Sequence, residues 1–226
     1  MKGTLYIVST PIGNLKDITH RSLEVLSAVH LVAAEDTRRT RILLSHYNIK
    51  TTLSSYNSFN KTKKGNYFIE LLNQGHDIAL VSDAGTPGIS DPLYHLGQLA
   101  IEEGITLCPI PGASAVLSAL TVSGLPMDRF LFEGFLPRKK GRKKLLQELS
   151  HEKRTLVLFE SPHRIEKTLR DLHEFFGDRP VAITRELTKM HEEVIRGTLS
   201  ALIAAPPKVT WKGEITLVVQ GQDKRS

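Results

Sequence analysis

The first half of the chain alternates short apolar runs with longer amphipathic stretches. TLYIVS (4–9), HLVAAE (30–35), IALVSD (78–83) and ITLCPI (105–110) are compact, aliphatic and closed by turn formers, so they predict strands. HRSLEVLSAV (20–29), RTRILLSHY (39–47), NYFIELLNQ (66–74) and DPLYHLGQLAIEEG (91–104) carry apolar residues at helical spacing. In the last of these, Leu93, Leu96, Leu99 and Ala100 share one face. Strands alternating with helices predict an α/β fold with a parallel sheet covered on both sides. The turn signals TPIGN, AEDTR, SDAGTPG and PIPGAS all follow strands, at the edge where open α/β sheets place their ligands.

The pattern changes at SGLPMDR (123–129), where Gly and Pro interrupt it. This predicts an N-terminal domain over 1–122, a junction at 123–129 and a C-terminal α/β domain over 130–226. The second part opens with FLFEGFLP and the basic segment PRKKGRKKLLQELSHEKR, then a strand, RTLVLFE. A helix is predicted next, with Ser161 as its cap, Pro162 in its first turn, and Ile165, Leu169, Leu172 and Phe176 on its buried face. PVAITRE and EITLVVQG predict further strands.

Composition narrows the class. The chain has 226 residues, 40% hydrophobic and 24% charged, which permits two compact domains or one large one and argues against disorder. No apolar run has membrane length, and the opening TLYIVSTPIG is too short and interrupted for a signal peptide, so a cytoplasmic protein with no membrane contact is expected. Cys108 is the single cysteine, and no two of the nine histidines lie four residues apart, so no metal site is expected. Charge is asymmetric: residues 1–128 hold 10 Lys and Arg against 11 Asp and Glu, whereas residues 129–226 hold 20 against 13. The basic excess of the second part suits either a solvated face or a polyanionic partner.

Several strand-end segments carry candidate chemistry. STPIGN (9–14) exposes backbone without the lysine or glycine triplet of a phosphate loop, and it also reads as a plain β–α turn. AEDTRRT (34–40) places Glu35, Asp36, Arg38 and Arg39 at a strand end; the acids suit a helix N-terminus with Thr37 as cap, or a polar cluster for catalysis or RNA contact. In VSDAGTPGISDP (81–92), Gly85 and Gly88 let a ligand approach the backbone, Asp83 suits a ribose hydroxyl or an amine, and Asp91-Pro92 reads as a helix start. PIPGASAVLSAL (109–120) opens a helix with small residues, which suits close packing or a slot for a flat group. RELTKMHEEVIRGTL (185–199) gathers Arg185, Glu186, Lys189 and His191 within seven positions.

STPIGNL, AEDTRRT, SDAGTPGISDP, PIPGASA, SGLP, GFLP, ESPHR, RELTK-x-HEE and a late GE before a strand occur in this order along nearly the whole chain. In these motifs the sequence resembles the 16S ribosomal RNA ribose 2′-O-methyltransferase I family, a branch of the tetrapyrrole methylase superfamily. The resemblance implies a tetrapyrrole-methylase-like fold of two α/β domains with S-adenosyl-L-methionine in the cleft between them. It also implies a homodimer that methylates the 2′-hydroxyl of a cytidine in the decoding region of 16S ribosomal RNA, within the small ribosomal subunit. Carried over by motif, cofactor contacts fall on Pro11, on Asp83, Ala84, Gly85 and Thr86, and on Ser114 and Ala115, with backbone near Phe159 and Gly213-Glu214. Glu35, Asp36, Glu186 and His191 are candidates for the base or orienting group, and Lys189 for lowering the hydroxyl's pKa. Arg138, Lys139, Lys140, Arg142, Lys143 and Lys144 suit RNA phosphates.

The chain departs from the family pattern at Leu93, where glycine is common, and at YNSFN (56–60), where a histidine-rich stretch is usual. A tetrapyrrole C-methyltransferase and a non-catalytic RNA-binding module are the competing readings; ESPHR and RELTK argue against the first, and the intact glycine loops against the second.

Overall fold

The structure, a computed structural model, describes residues 1–88, 93–205 and 210–222. It divides into two compact units, Met1–Ser114 and Ala115–Ser226.

In the first unit the chain runs β1 (Thr4–Val8), α1 (His20–Ala28), β2 (Leu31–Ala34), α2 (Thr37–His46), β3 (Thr52–Ser55), α3 (Lys61–Asn73), β4 (Ile78–Val81), α4 (Leu93–Glu102) and β5 (Thr106–Ile110). All five strands are parallel, in the order β3-β2-β4-β1-β5. β2 and β4 are buried at every residue, which is why they read as unbroken apolar runs. Along β2 the side chains alternate: Leu31 and Ala33 pack with Phe68, Leu72 and Leu96 of α3 and α4, while Val32 and Ala34 pack with Leu26 and Leu44 of α1 and α2. Right-handed crossovers require this division, because the chain moves one way across the sheet from β1 to β3 and the other way from β3 to β5. The adjacent strands β1 and β4 therefore send their connections in opposite directions, and their carboxyl ends form the switch point of the sheet.

The second unit contains α5 (Ala115–Ser123), β6 (Phe130–Phe135), α6 (Arg142–Leu149), β7 (Thr155–Glu160), α7 (Ile165–Phe176), β8 (Pro180–Arg185), β9 (Glu193–Thr198), α8 (Leu199–Ala204) and β10 (Ile215–Val219). Its sheet is mixed, in the order β6-β7-β10-β8-β9, with β6 and β7 parallel and the remaining neighbours antiparallel. Residues from α6, α7 and α8 cover one face. On the other face, Val116, Ala119 and Leu120 of α5 pack against Val157, Ala182 and Val218. The expected junction at 123–129 thus lies after α5, whereas the chain divides before it; α5's apolar side belongs to the second core.

Two strands escape the hydrophobic pattern. β3, with sequence TLSS, has one apolar residue, and β9, with sequence EVIRGT, alternates and pairs with β8 at the sheet edge. The helix over 165–176 buries the four expected apolar residues but starts later than Ser161. Segment 161–164 is instead a turn closed by the Arg164 N–H on Ser161 O at 3.0 Å. The buried Glu160 carboxylate holds it there, accepting the Ser161 N–H (2.8 Å) and the Thr168 hydroxyl (2.5 Å) and pairing with Arg164 (3.2 Å). The expected helix start at Asp91-Pro92 lies outside the described residues.

Arg142 joins this network. Its guanidinium is buried and donates to Asp171 (2.7 Å), to the Thr168 hydroxyl (2.8 Å) and to Pro137 O (3.2 Å). It therefore tethers the basic segment to α7 and is not available to RNA, which corrects its assignment as a phosphate contact. Arg142→Ala is expected to cost about 3 kcal/mol by leaving Asp171 and Thr168 without their donor, against roughly 0.5 kcal/mol or less for exposed Lys143→Ala. Urea unfolding followed by the single tryptophan, Trp211, which packs on this core, measures both.

Candidate active site

At the switch point three strand-end loops are bonded to one another. Thr10 and Gly85 exchange both backbone hydrogen bonds, Thr10 N–H to Gly85 O at 2.9 Å and Gly85 N–H to Thr10 O at 3.0 Å. Ser9 Oγ lies 3.0 Å from Thr86 Oγ1, which donates to Ala113 O at 3.1 Å. The loops after β1, β4 and β5 are thereby locked together. Close approach demands glycine at 112, where a Cβ would sit 2.8 Å from Ser9 Cβ. Gly85 has φ +80°, a left-handed conformation that glycine adopts without strain. Of the expected cofactor contacts, Gly85 is buried, Ala84 is exposed, and Pro11, Asp83, Thr86, Ser114 and Ala115 are half-buried. Thr10 Oγ1 is buried with no hydrogen-bond partner among the described residues.

The acids of the neighbouring strand end meet this site. Asp83 accepts the Asp36 N–H at 2.9 Å, and Arg39 approaches its other oxygen at 3.7 Å. Asp36, rather than the expected Thr37, caps α2, accepting the Arg38 N–H at 2.8 Å and the Arg38 guanidinium at 2.6 and 3.0 Å. The Arg38 side-chain bonds, followed by its backbone N–H, lower the Asp36 carboxyl from 3.8 to about 2. A carboxylate so committed and so acidic is a poor general base, which corrects that candidacy. Glu35 stands beside it, half-buried.

In the second unit RELTKMHEE forms the connection between β8 and β9. Glu186 and Thr188 adopt left-handed backbone, with φ +52° and +65°. Glu186 Oε1 accepts Lys189 Nζ at 2.8 Å and the Glu214 N–H at 2.9 Å, and Lys189 also reaches Glu214 Oε2 at 3.1 Å. The Glu186 carboxyl fills the space where a side chain at residue 213 would begin, so Gly213 is required. Burial on its own would raise Glu186, but the hydrogen bonds from Lys189 and Glu214, with the charges of Lys189 and Arg185, bring it below its ordinary value. Lys189 is likewise opposed by burial, yet its two carboxylate partners raise it. Lys189 is thus a fixed cation, and Glu186 is its partner rather than a free base. The Glu214 carboxylate was missed as a functional side chain; the GE pair before the last strand was its signal. His191 is exposed.

Arg138, Lys139, Lys140, Lys143 and Lys144 are exposed along the basic segment, with Lys144 3.9 Å from Glu148. Near Phe159, the rings of Phe132 and Phe135 lie 5.0 and 5.6 Å away. In the divergent stretch 56–60, Tyr56 is buried against Phe68, Asn60 accepts the Asn57 N–H, and Phe59 is exposed. Among the described residues no group of three metal-ligating side chains occurs, and no helix is long and apolar enough to cross a membrane.

Comparison with known proteins agrees with this architecture. The family description Tetrapyrrole (Corrin/Porphyrin) Methylases matches residues 4–203. The structure is similar to a cobalt precorrin-4 methyltransferase of cobalamin biosynthesis, with TM-score 0.72, 18% identity, and coverage of 96% of this chain and 94% of that one. It is also similar to uroporphyrin-III C-methyltransferase from Thermus thermophilus complexed with S-adenosylhomocysteine, with TM-score 0.67, 15% identity, and coverage of 97% and 98%. The fold is that of the tetrapyrrole methylases. A protein of Halalkalibacterium halodurans named Ribosomal RNA small subunit methyltransferase I is 51% identical over 99% of this chain and 78% of its own length. The chain belongs to that methyltransferase I family, a branch of the tetrapyrrole methylases.

The clamped lysine has a pH signature. Glu186 lies below its ordinary 4.5, so its stabilising contribution is complete above that value and is lost as pH falls through the folded value. Lys189 lies above its ordinary 10.5, so its contribution is complete below that value and is lost as pH rises through the folded one. Glu186→Gln is expected to flatten the acid limb of the stability profile and Lys189→Met the alkaline limb, read from urea midpoints across pH. Unchanged limbs would contradict the clamp.

Proposed function

We propose that the chain is an S-adenosylmethionine-dependent enzyme that methylates the 2′-hydroxyl of a cytidine in the decoding region of 16S ribosomal RNA. It acts in the cytoplasm as a homodimer on the small ribosomal subunit. The observation that carries the reading is the locked trio of strand-end loops at the switch point, in a chain of the methyltransferase I family.

Pro11, the segment Asp83, Ala84, Gly85 and Thr86, and Ser114 with Ala115 hold the donor. The residues fit it: the Asp83 carboxylate suits a ribose hydroxyl or an amine, the Thr10 hydroxyl has an open bonding position, and the glycine loops keep side chains away. When bound, the donor supplies a methyl group on a cationic sulfur. The protein must aim the ribose oxygen at it and accept the hydroxyl proton. Lys189, kept charged between Glu186 and Glu214, favours negative charge developing on that oxygen. Glu35, at the strand end beside Asp83's partner Asp36, and His191, exposed in the β8–β9 connection, are the groups proposed to take the proton, a step worth roughly 10²–10⁴-fold. Arg138, Lys139, Lys140, Lys143 and Lys144 hold phosphates.

Methyl transfer from labelled S-adenosylmethionine to small subunits lacking the modification, followed by nucleoside analysis, tests the reading; 2′-O-methylcytidine is expected. Free RNA serves as a parallel substrate. Label in a tetrapyrrole acid and none in the subunits would mean C-methylation, and donor binding without transfer a binding module. Either Glu35→Gln or His191→Ala is expected to lower kcat by about 10²–10⁴-fold at unchanged S-adenosylhomocysteine affinity. Neutralising the five exposed cations is expected to weaken subunit binding and its salt dependence without weakening cofactor binding; equal losses in both would contradict their role.

A further inference from the structure

An open hollow of about 590 Å³ lies on the first unit, lined by Leu15, Arg38, Arg41, Ile42, Ser45 and His46. The last five share one side of α2 by their three- and four-residue spacing. Leu15 opens a short 3-10 turn, Leu15–Asp17, whose carbonyl at Leu15 accepts the Tyr47 hydroxyl at 2.7 Å. That bond pins the turn against the end of α2 and gives the hollow a fixed second wall.

Its chemistry is mixed in a specific way. Ile42 is 66% exposed, an aliphatic surface that the unit leaves uncovered, and His46 adds an exposed ring. Around them stand guanidinium groups. Arg38 is paired with Asp36, but Arg41 has no carboxylate partner among the described residues. An uncompensated guanidinium beside an apolar surface and an aromatic ring suits one nucleotide of a single strand, with the phosphate on the cation and the base or ribose on the apolar surface. The hollow's place in the chain supports that occupant. The loop after β1 runs directly into Leu15, and the strand end at Glu35-Asp36 runs directly into α2, so both walls continue from the strand-end site.

We propose that this hollow binds single-stranded RNA, holding a nucleotide near the one that is methylated. The inference rests on the RNA-substrate reading above and adds to it a contact surface on the first unit, separate from the basic segment of the second.

The test uses the full chain and a single-stranded oligoribonucleotide carrying 4-thiouridine. Arg41→Glu is expected to weaken binding on the order of tenfold and to reduce the slope of log affinity against log salt by about 0.7, the value for one phosphate contact on a single strand. Ile42→Ala is expected to weaken binding several-fold with the slope unchanged, because its contact is apolar. Both residues are exposed, and S-adenosylhomocysteine affinity checks that the fold is intact. Photocrosslinking is expected to label the tryptic peptide ILLSHYNIK, residues 42–50. If both variants bind RNA as the wild type does, or crosslinks fall only on the second unit, while the wild type still methylates subunits, the hollow is not an RNA site and the proposed function stands. If the wild type neither binds RNA nor methylates subunits, both fall together.

Discussion

The double hydrogen bond between Thr10 and Gly85 is the constraint on which the candidate active site depends. Parallel strands alone align β1 and β4 but leave the loops beyond them free to diverge, since their connections depart in opposite directions. Joining the two backbones just past the sheet removes that freedom, and Ser9, Thr86 and Ala113 extend the lock to a third loop. Asp83 is then held by the Asp36 amide of the next strand, so four strand ends share one bonded rim. Preorganisation of this kind puts the ordering cost of the loops into folding rather than into binding.

A second theme is how the protein divides its cations between structure and surface. Net charge alone treats all arginines and lysines alike. The structure sorts them by partner: Arg142 is sealed among Asp171, Thr168 and Pro137, Lys189 is clamped by two glutamates, and Arg38 is forked onto a helix cap. The exposed basic segment and Arg41 are, by contrast, among the cations left open at the surface.

Legibility followed burial. β2 and β4 are readable because helices cover both faces and bury every residue, which forces an aliphatic run into the sequence. β3 and β9 lie at sheet edges and have no buried residue, so the run disappears there, although β5, also at an edge, keeps an apolar one. The glycine loops were legible because backbone conformation and close approach select glycine directly. Partnership was not. Nothing local distinguishes Arg142 from Lys143, or Asp36 as a cap from Asp36 as a base, because the deciding atoms are those of Thr168, Asp171 and Arg38 in the folded chain. The late start of α7 has the same origin, a buried Glu160 that captures the preceding turn. The placement of α5 depended on which sheet received its apolar side, and no composition signal marks that choice.

The strand order also governs when the first unit can assemble. β2 and β3 find each other across one helix, with Leu31 opposite Thr52, as soon as both have been synthesised. β1 is made before either, yet Leu5 pairs only with Ile78 and Leu107. The first strand made must therefore wait, aliphatic and unpaired, until nearly the whole unit has emerged from the ribosome. Contacts of such separation slow folding and prolong exposure to wrong partners. The Thr10–Gly85 lock is among the contacts that form only once this wait is over.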